Sequence, residues 1–183
     1  MLRSVGVSDE SLKKLRDLGA LETASDDKGQ HLQPTETITF KVDSGAAVTV
    51  IKRRACRRYK LLPNRTSMRG GGYRTATGTF VRDLGSKVIV GRCGGARGAV
   101  TKGIRPHVAD VSQNLLAVVD MINNDQIVTF SKERSFARNT KTGEEIDFVL
   151  RDGTFELEMD VFSPQDAEKI LEQRSFQGQG VSP

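Results

Sequence analysis

Residues 38–51 read Ile-Thr-Phe-Lys-Val-Asp-Ser-Gly-Ala-Ala-Val-Thr-Val-Ile, and the rest of the chain is organised around them. Ile38, Phe40 and Val42 alternate with Thr39 and Lys41, the period-2 pattern of a half-buried strand, and residues 46–51 form a second, β-branched run. Between the two runs lies Asp43-Ser44-Gly45, one carboxylate at a bend between two apolar strands. Burial at such a bend disfavours the charged form, and a second carboxylate beside it would force the pair to share a proton. Asp-Ser-Gly is also ordinary turn chemistry. Its position between two apolar runs, and the segments that follow, give it weight.

At 183 residues the chain is long enough to bury a core of its own and is read as one domain with appendages. No run of 18 apolar residues occurs and the N-terminus lacks the apolar centre of a signal peptide, so a soluble, intracellular, cytoplasmic chain without membrane partners is expected. Two cysteines, Cys56 and Cys93, and two histidines, His31 and His107, offer no ligand set with zinc spacing. No metal or cofactor is expected, and both cysteines are read as free thiols of a reducing compartment.

The net charge of +5 conceals an asymmetry. Residues 1–51 carry 6 Lys/Arg and 8 Asp/Glu, residues 52–105 carry 15 and 1, and residues 106–183 carry 7 and 14. A middle third of this kind suits contact with nucleic acid or acidic peptides, or pairing with the acidic last third of the same chain. The run Lys-Arg-Arg-Ala-Cys-Arg-Arg-Tyr-Lys at 52–60 reads as a short helix or a charged loop. It lacks the interleaved aromatics of a base-stacking platform.

The chain divides into an N-terminal helix (residues 8–18) with a polar linker to residue 35, a core at 36–162, and a helix with a tail at 163–183. Ser8 and Ser163 are the expected helix caps, with Pro164 at the first helical position. Thr77-Gly78, between Thr-rich flanks, fits a hairpin tip. Ser86 to Val90 reads as a strand and residues 91–98 as a flexible connection. Pro106 predicts a sheet edge, with His107 solvent-facing or on that edge. Residues 114–122 read as a buried strand leading into a short buried helix. Short strands follow at 126–130, 135–138, 145–150 and 154–161, with turns at Lys141-Thr142-Gly143 and Asp152-Gly153.

Three of these segments, in this order, resemble the retropepsin-like aspartic proteases of retrotransposon polyproteins: Asp43-Ser44-Gly45-Ala46 as the catalytic loop, Ala76-Thr77-Gly78-Thr79 as part of the flap hairpin, and Leu115-Leu116-Ala117 with Asp120 as the hydrophobic brace and its helix. The match spans residues 38–122 and departs from the family at Ala117, where a glycine is usual. The resemblance implies a mainly β fold, a small closed β-barrel-like domain with a flap and one short buried helix, extended here by C-terminal hairpins and terminal helices. It implies an aspartic endopeptidase that processes a polyprotein.

Such an enzyme needs two carboxylates sharing one proton, one activating water and the other polarising the scissile carbonyl. Only Asp43 stands in the required triplet, so the resemblance implies a homodimer contributing one Asp43 per subunit. Ser44 and Gly45 would support the loop, while Ala46, Ala76, Thr77, Gly78 and Thr79 would bind the peptide. The competing expectation is an inactive dimerisation or peptide-binding module on the same fold, with an accessory nucleic-acid contact through the basic third.

Overall fold

The computed structural model describes residues 32–177, so the expected helix at residues 8–18, most of the linker and the last six residues lie outside the described part. Twelve strands and three helices follow in chain order. The strands are β1 (Glu36–Asp43), β2 (Val50–Lys52), β3 (Gly72–Arg74), β4 (Phe80–Ser86), β5 (Ile89–Cys93), β6 (Val100–Ile104), β7 (His107–Ala109), β8 (Asn114–Ala117), β9 (Gln126–Thr129), β10 (Ser135–Asn139), β11 (Glu145–Arg151) and β12 (Thr154–Val161). The helices are α1 (Arg65–Met68), α2 (Val118–Asn123) and α3 (Pro164–Gln177).

The alternation that predicts β1 is realised side by side with β12. Ile38, Phe40 and Val42 point into the core opposite Met159 and Leu157, whereas Thr39 is exposed and faces the exposed Glu158. Phe40, Ile51, Ile89, Val161 and Phe162 are almost wholly excluded from solvent and form the centre of the core. The Asp152-Gly153 turn joins β11 to β12 with both residues at positive φ, 48° and 76°, as a two-residue hairpin requires.

The sheet is mainly antiparallel and open, with the order β3-β4-β7-β2-β8-β1-β12-β11-β10-β9. This corrects the expected closed barrel. One edge of β12 is divided: Thr154 to Glu156 pair with β11, and Met159 to Val161 pair with β5. The sheet therefore forks at β12, and β3 and β9 lie at opposite edges of the main path.

Of the two alternatives for the basic run, helix or charged loop, residues 53–58 take the loop, as turns. Two local expectations change. Lys87 breaks the expected Ser86 to Val90 strand, because its side chain turns inward to donate from Nζ to Ala55 O (2.7 Å) and Cys56 O (3.0 Å). Gly91 is a strand residue, not part of a flexible connection. A Cβ there would lie 2.7 Å from Asp160 O, so glycine is what lets β5 approach β12.

The strand order places β8 between β1 and β2. β8 runs parallel to β1, with Asp43 beside Ala117, and antiparallel to β2, with Val50 beside Leu115. Two strands adjacent in sequence are thus separated by one arriving some 65 residues later in the chain, and the loop carrying Asp43 spans the gap. Asn114 stitches the arrangement together: its Oδ1 accepts from Lys52 N (2.9 Å) and its Nδ2 donates to Thr39 O (2.9 Å).

Candidate functional site

Asp43 ends β1 half-buried, while Ser44 and Gly45 are exposed. Asp43 Oδ1 accepts a hydrogen bond from Gly45 N at 2.7 Å, which turns the chain sharply and fixes one carboxylate oxygen. A Cβ on Gly45 would sit 3.3 Å from that Oδ1, so the small residue leaves room for the turn.

The return of the loop is held by Thr49, which is buried. Thr49 N donates to Asp120 Oδ2 (2.6 Å), Thr49 Oγ1 accepts from Ala117 N (3.1 Å), and Thr49 O accepts from His107 N (2.9 Å). One residue thereby binds the loop to α2, β8 and β7. Leu116 is buried in β8, Asp120 lies in the first turn of α2, and Ala117 is fully buried with φ −72° and ψ 124°. Any L-residue adopts that conformation, so the methyl in place of glycine introduces no backbone strain.

On the outer side of the loop, α2 leaves Val119 (39 %) and Ile122 (58 %) exposed. They are three residues apart and share one helix face. Asp43 and Ala117, the residue that precedes α2, are paired neighbours. On the inner side, a cavity of about 300 Å³ is bounded by Thr49 and Asp120 together with Leu116, Met121, Leu157 and Met159. Asp43 is not among the residues that line it.

Residues 76–79 are exposed at the tip of the β3–β4 hairpin. Thr75 N donates to Thr79 O (2.9 Å), Gly78 N to Thr75 O (2.8 Å) and Arg74 Nη1 to Gly78 O (3.1 Å), and Gly78 takes φ 83°. At the base, a Cβ on Gly72 would meet Val81 O at 2.1 Å, so only glycine allows these strands to pair so closely. Three strands, β7, β2 and β8, separate this hairpin from β1. Within one chain, therefore, Asp43, Ser44, Gly45 and Ala46 form one loop, exposed at Ser44 and Gly45, and Ala76, Thr77, Gly78 and Thr79 form another.

A polar cluster at the root of the hairpin escapes sequence reasoning. Asp83, on β4 at a bulge, is 1 % exposed. Its carboxylate accepts from Tyr73 OH (2.7 Å, Oδ2), from His107 Nδ1 (2.7 Å, Oδ2), from Gly85 N (2.7 Å, Oδ1) and from Asn64 Nδ2 (3.1 Å, Oδ1). Asn64 Oδ1 accepts from Ser67 N to cap α1, which turns Nδ2 toward Asp83, and His107 Nδ1 also lies 2.7 Å from Tyr73 OH and 3.1 Å from Asn64 Nδ2. Burial alone would raise the Asp83 pKa, but the bonds from Tyr73, His107, Gly85 and Asn64 outweigh it and hold the carboxyl below its ordinary range. Burial, followed by the neighbouring Asp83, pushes the Tyr73 hydroxyl well above the ordinary tyrosine value.

His107 is accordingly neither solvent-facing nor on an edge, because β7 lies between β4 and β2. The sequence holds no local signal for this cluster. Its members lie on α1's cap, β3, β4 and β7, and only the β4–β7 pairing assembles them.

No protein-family model, curated protein or solved structure matches this chain. No helix among the described residues is long and apolar enough to cross a membrane. Those residues hold no group of three or more His, Cys, Asp or Glu arranged to bind a metal. Cys56 and Cys93 are buried free thiols, both pushed up to about 12, chiefly by burial.

Proposed function

We propose that the chain is an aspartic endopeptidase of the retropepsin-like type, active as a homodimer on an extended peptide segment of a polyprotein, with retrotransposon polyproteins as the substrate class. The observation that carries the reading is the Asp43 loop. One carboxylate ends the strand beside the inserted β8, with one oxygen tied to Gly45 N and the loop anchored through Thr49 to Asp120. That is a rigid mount for a group whose chemistry requires positioning to within a fraction of an ångström.

A single Asp43 can serve as a base or an acid but not as both at once, so the reading requires a second copy. The exposed apolar pair Val119 and Ile122 on α2 supplies a surface suited to self-association. Across a two-fold axis the two carboxylates would share one proton. The ionised one takes a proton from the bound water as the water oxygen attacks the peptide carbonyl carbon; the protonated one donates to the carbonyl oxygen. Collapse of the tetrahedral intermediate transfers a proton to the leaving nitrogen and breaks the C–N bond. The Gly72 to Ser86 hairpin, with Ala76, Thr77, Gly78 and Thr79 at its tip, would close over the substrate and bind it through strand-like hydrogen bonds.

The test is cleavage of a mixed peptide library at mildly acidic pH, read by mass spectrometry, for the wild type and for Asp43→Asn. The variant is expected to lose activity by about 10²–10⁴-fold or more while sedimenting as the same dimer. Undiminished cleavage by the variant defeats the proposal. A dimer that binds peptide and leaves it intact in the wild type supports instead the non-catalytic module.

A further inference from the structure

We infer that the turn at residues 52–60 is a rigid, sequence-independent binding site for the phosphate backbone of nucleic acid. Nothing in this inference depends on protease activity. It rests on how the turn is built, on what it exposes and on where it lies.

Six of the nine residues, Lys52, Arg53, Arg54, Arg57, Arg58 and Lys60, are basic and exposed, whereas Ala55, Cys56 and Tyr59 are buried. The inner side of the turn is locked. Glu36 accepts from Cys56 N at 3.1 Å with both carboxylate oxygens, and the buried Lys87 donates to Ala55 O and Cys56 O. Tyr59 OH donates to Phe162 O at 3.0 Å, and Arg53 N donates to Ala109 O at 3.1 Å. The backbone is therefore fixed before any ligand arrives, and the cations project outward from a preformed frame.

Among the described residues the acidic last third reaches them only through Asp110, while Glu145 and Asp147 pair with Arg134, Asp125 with Lys141, and Glu156 and Glu158 with Arg151. Within the turn, Arg53 reaches Asp110 at 4.0 Å between two well-exposed side chains, and no ion pair to Arg54, Arg57, Arg58 or Lys60 occurs among the described residues.

The chemistry favours nucleic acid over an acidic protein. Four guanidinium groups, whose planar forks match phosphate oxygens, crowd one turn. A protein interface of useful affinity needs large apolar anchors, and the apolar side chains between Lys52 and Lys60 all face inward. Tyr59 is likewise withheld from stacking, so the contact reads charge and not bases. The site is also remote from the Asp43 loop. Glu36, which clasps the turn, and Asp43 stand at opposite ends of β1, seven residues or about 23 Å apart at ~3.3 Å per residue.

The experiment is fluorescence anisotropy of the full chain with labelled single-stranded RNAs of contrasting composition over a salt series, for the wild type, Arg54→Gln/Arg57→Gln/Arg58→Gln, and Asp43→Asn. Each phosphate contact on a single strand adds about 0.7 to the salt slope, or roughly fivefold in affinity at ~0.1 M relative to ~1 M salt. The triple variant is therefore expected to bind about 100-fold more weakly with a slope shallower by about 2, and to keep the wild-type melting curve. Asp43→Asn is expected to bind as the wild type does, so failure of the protease reading leaves this one standing. Absence of RNA binding at low salt, an unchanged affinity in the triple variant, strong preference for one RNA composition, or binding to phosphatidylserine vesicles in place of RNA each overturns it.

Discussion

Tyr73→Phe probes the hairpin root most directly. The substitution removes one oxygen from a half-buried ring and with it the 2.7 Å hydrogen bond to Asp83 Oδ2. Asp83 is almost completely excluded from water, so solvent cannot replace the lost donor. A hydrogen bond to a charged group contributes about 1.5–3 kcal/mol, and three donors remain to share the carboxylate, which favours the lower half of that range. The expected loss is therefore about 2 kcal/mol at neutral pH, or a fall in melting temperature of about 4–8 °C for a domain of this size.

The pH dependence has a defined sign. The folded-state pKa of Asp83 is depressed, so its contribution is fully present above the unfolded carboxyl value of about 3.9 and is lost as pH falls through the lower folded value. Tyr73→Phe weakens that depression. The stability difference between the two proteins should accordingly shrink below about pH 4. Urea denaturation of the wild type, Tyr73→Phe, Asp83→Asn and the double variant at pH 7 and at acidic pH measures the coupling directly. Strict additivity of the two substitutions at pH 7, or a difference that grows on acidification, refutes the argument.

Three further outcomes follow from the same geometry. Gly72→Ala should destabilise the hairpin strongly because its Cβ would meet the Val81 carbonyl oxygen, whereas Gly78→Ala, in open space at φ 83°, should cost only about 1–2 kcal/mol; limited proteolysis of the hairpin ranks the two, and an inverted order defeats this account. With thiols at about 12, only about one part in ten thousand of Cys56 or Cys93 is thiolate at pH 8. Ellman's reagent should therefore label neither until the protein is unfolded, and rapid native labelling would contradict the burial. If the chain forms the proposed homodimer, Ile122→Lys should shift sedimentation toward monomer with the fold intact, and an unchanged dimer would place the self-association surface elsewhere.

The period-2 stretches at 38–43 and 154–161 are legible from residues alone because alternation records which side of a strand meets the core, and the observed strands match them closely. Turns at Thr77-Gly78 and Asp152-Gly153 are legible for the same local reason, since positive φ selects glycine and a few small polar residues. The basic turn at 52–60 is visible as composition. Its conformation is not, because Glu36, Lys87 and Phe162, which fix it, are distant in sequence.

What the sequence determined by itself was where the longest alternating strands lie, which of their faces are apolar, and that one carboxylate sits at the end of a strand in a tight turn. What the tertiary structure alone decided was partnership. The insertion of β8 between β1 and β2, the grip of Asp120 on Thr49, the fork of the sheet at β12 and the gathering of Asn64, Tyr73, Asp83 and His107 join segments tens of residues apart. Hydrophobic alternation specifies a face to be buried, and any complementary face can bury it. Only the packed chain chooses which one, and with it where the Asp43 loop stands.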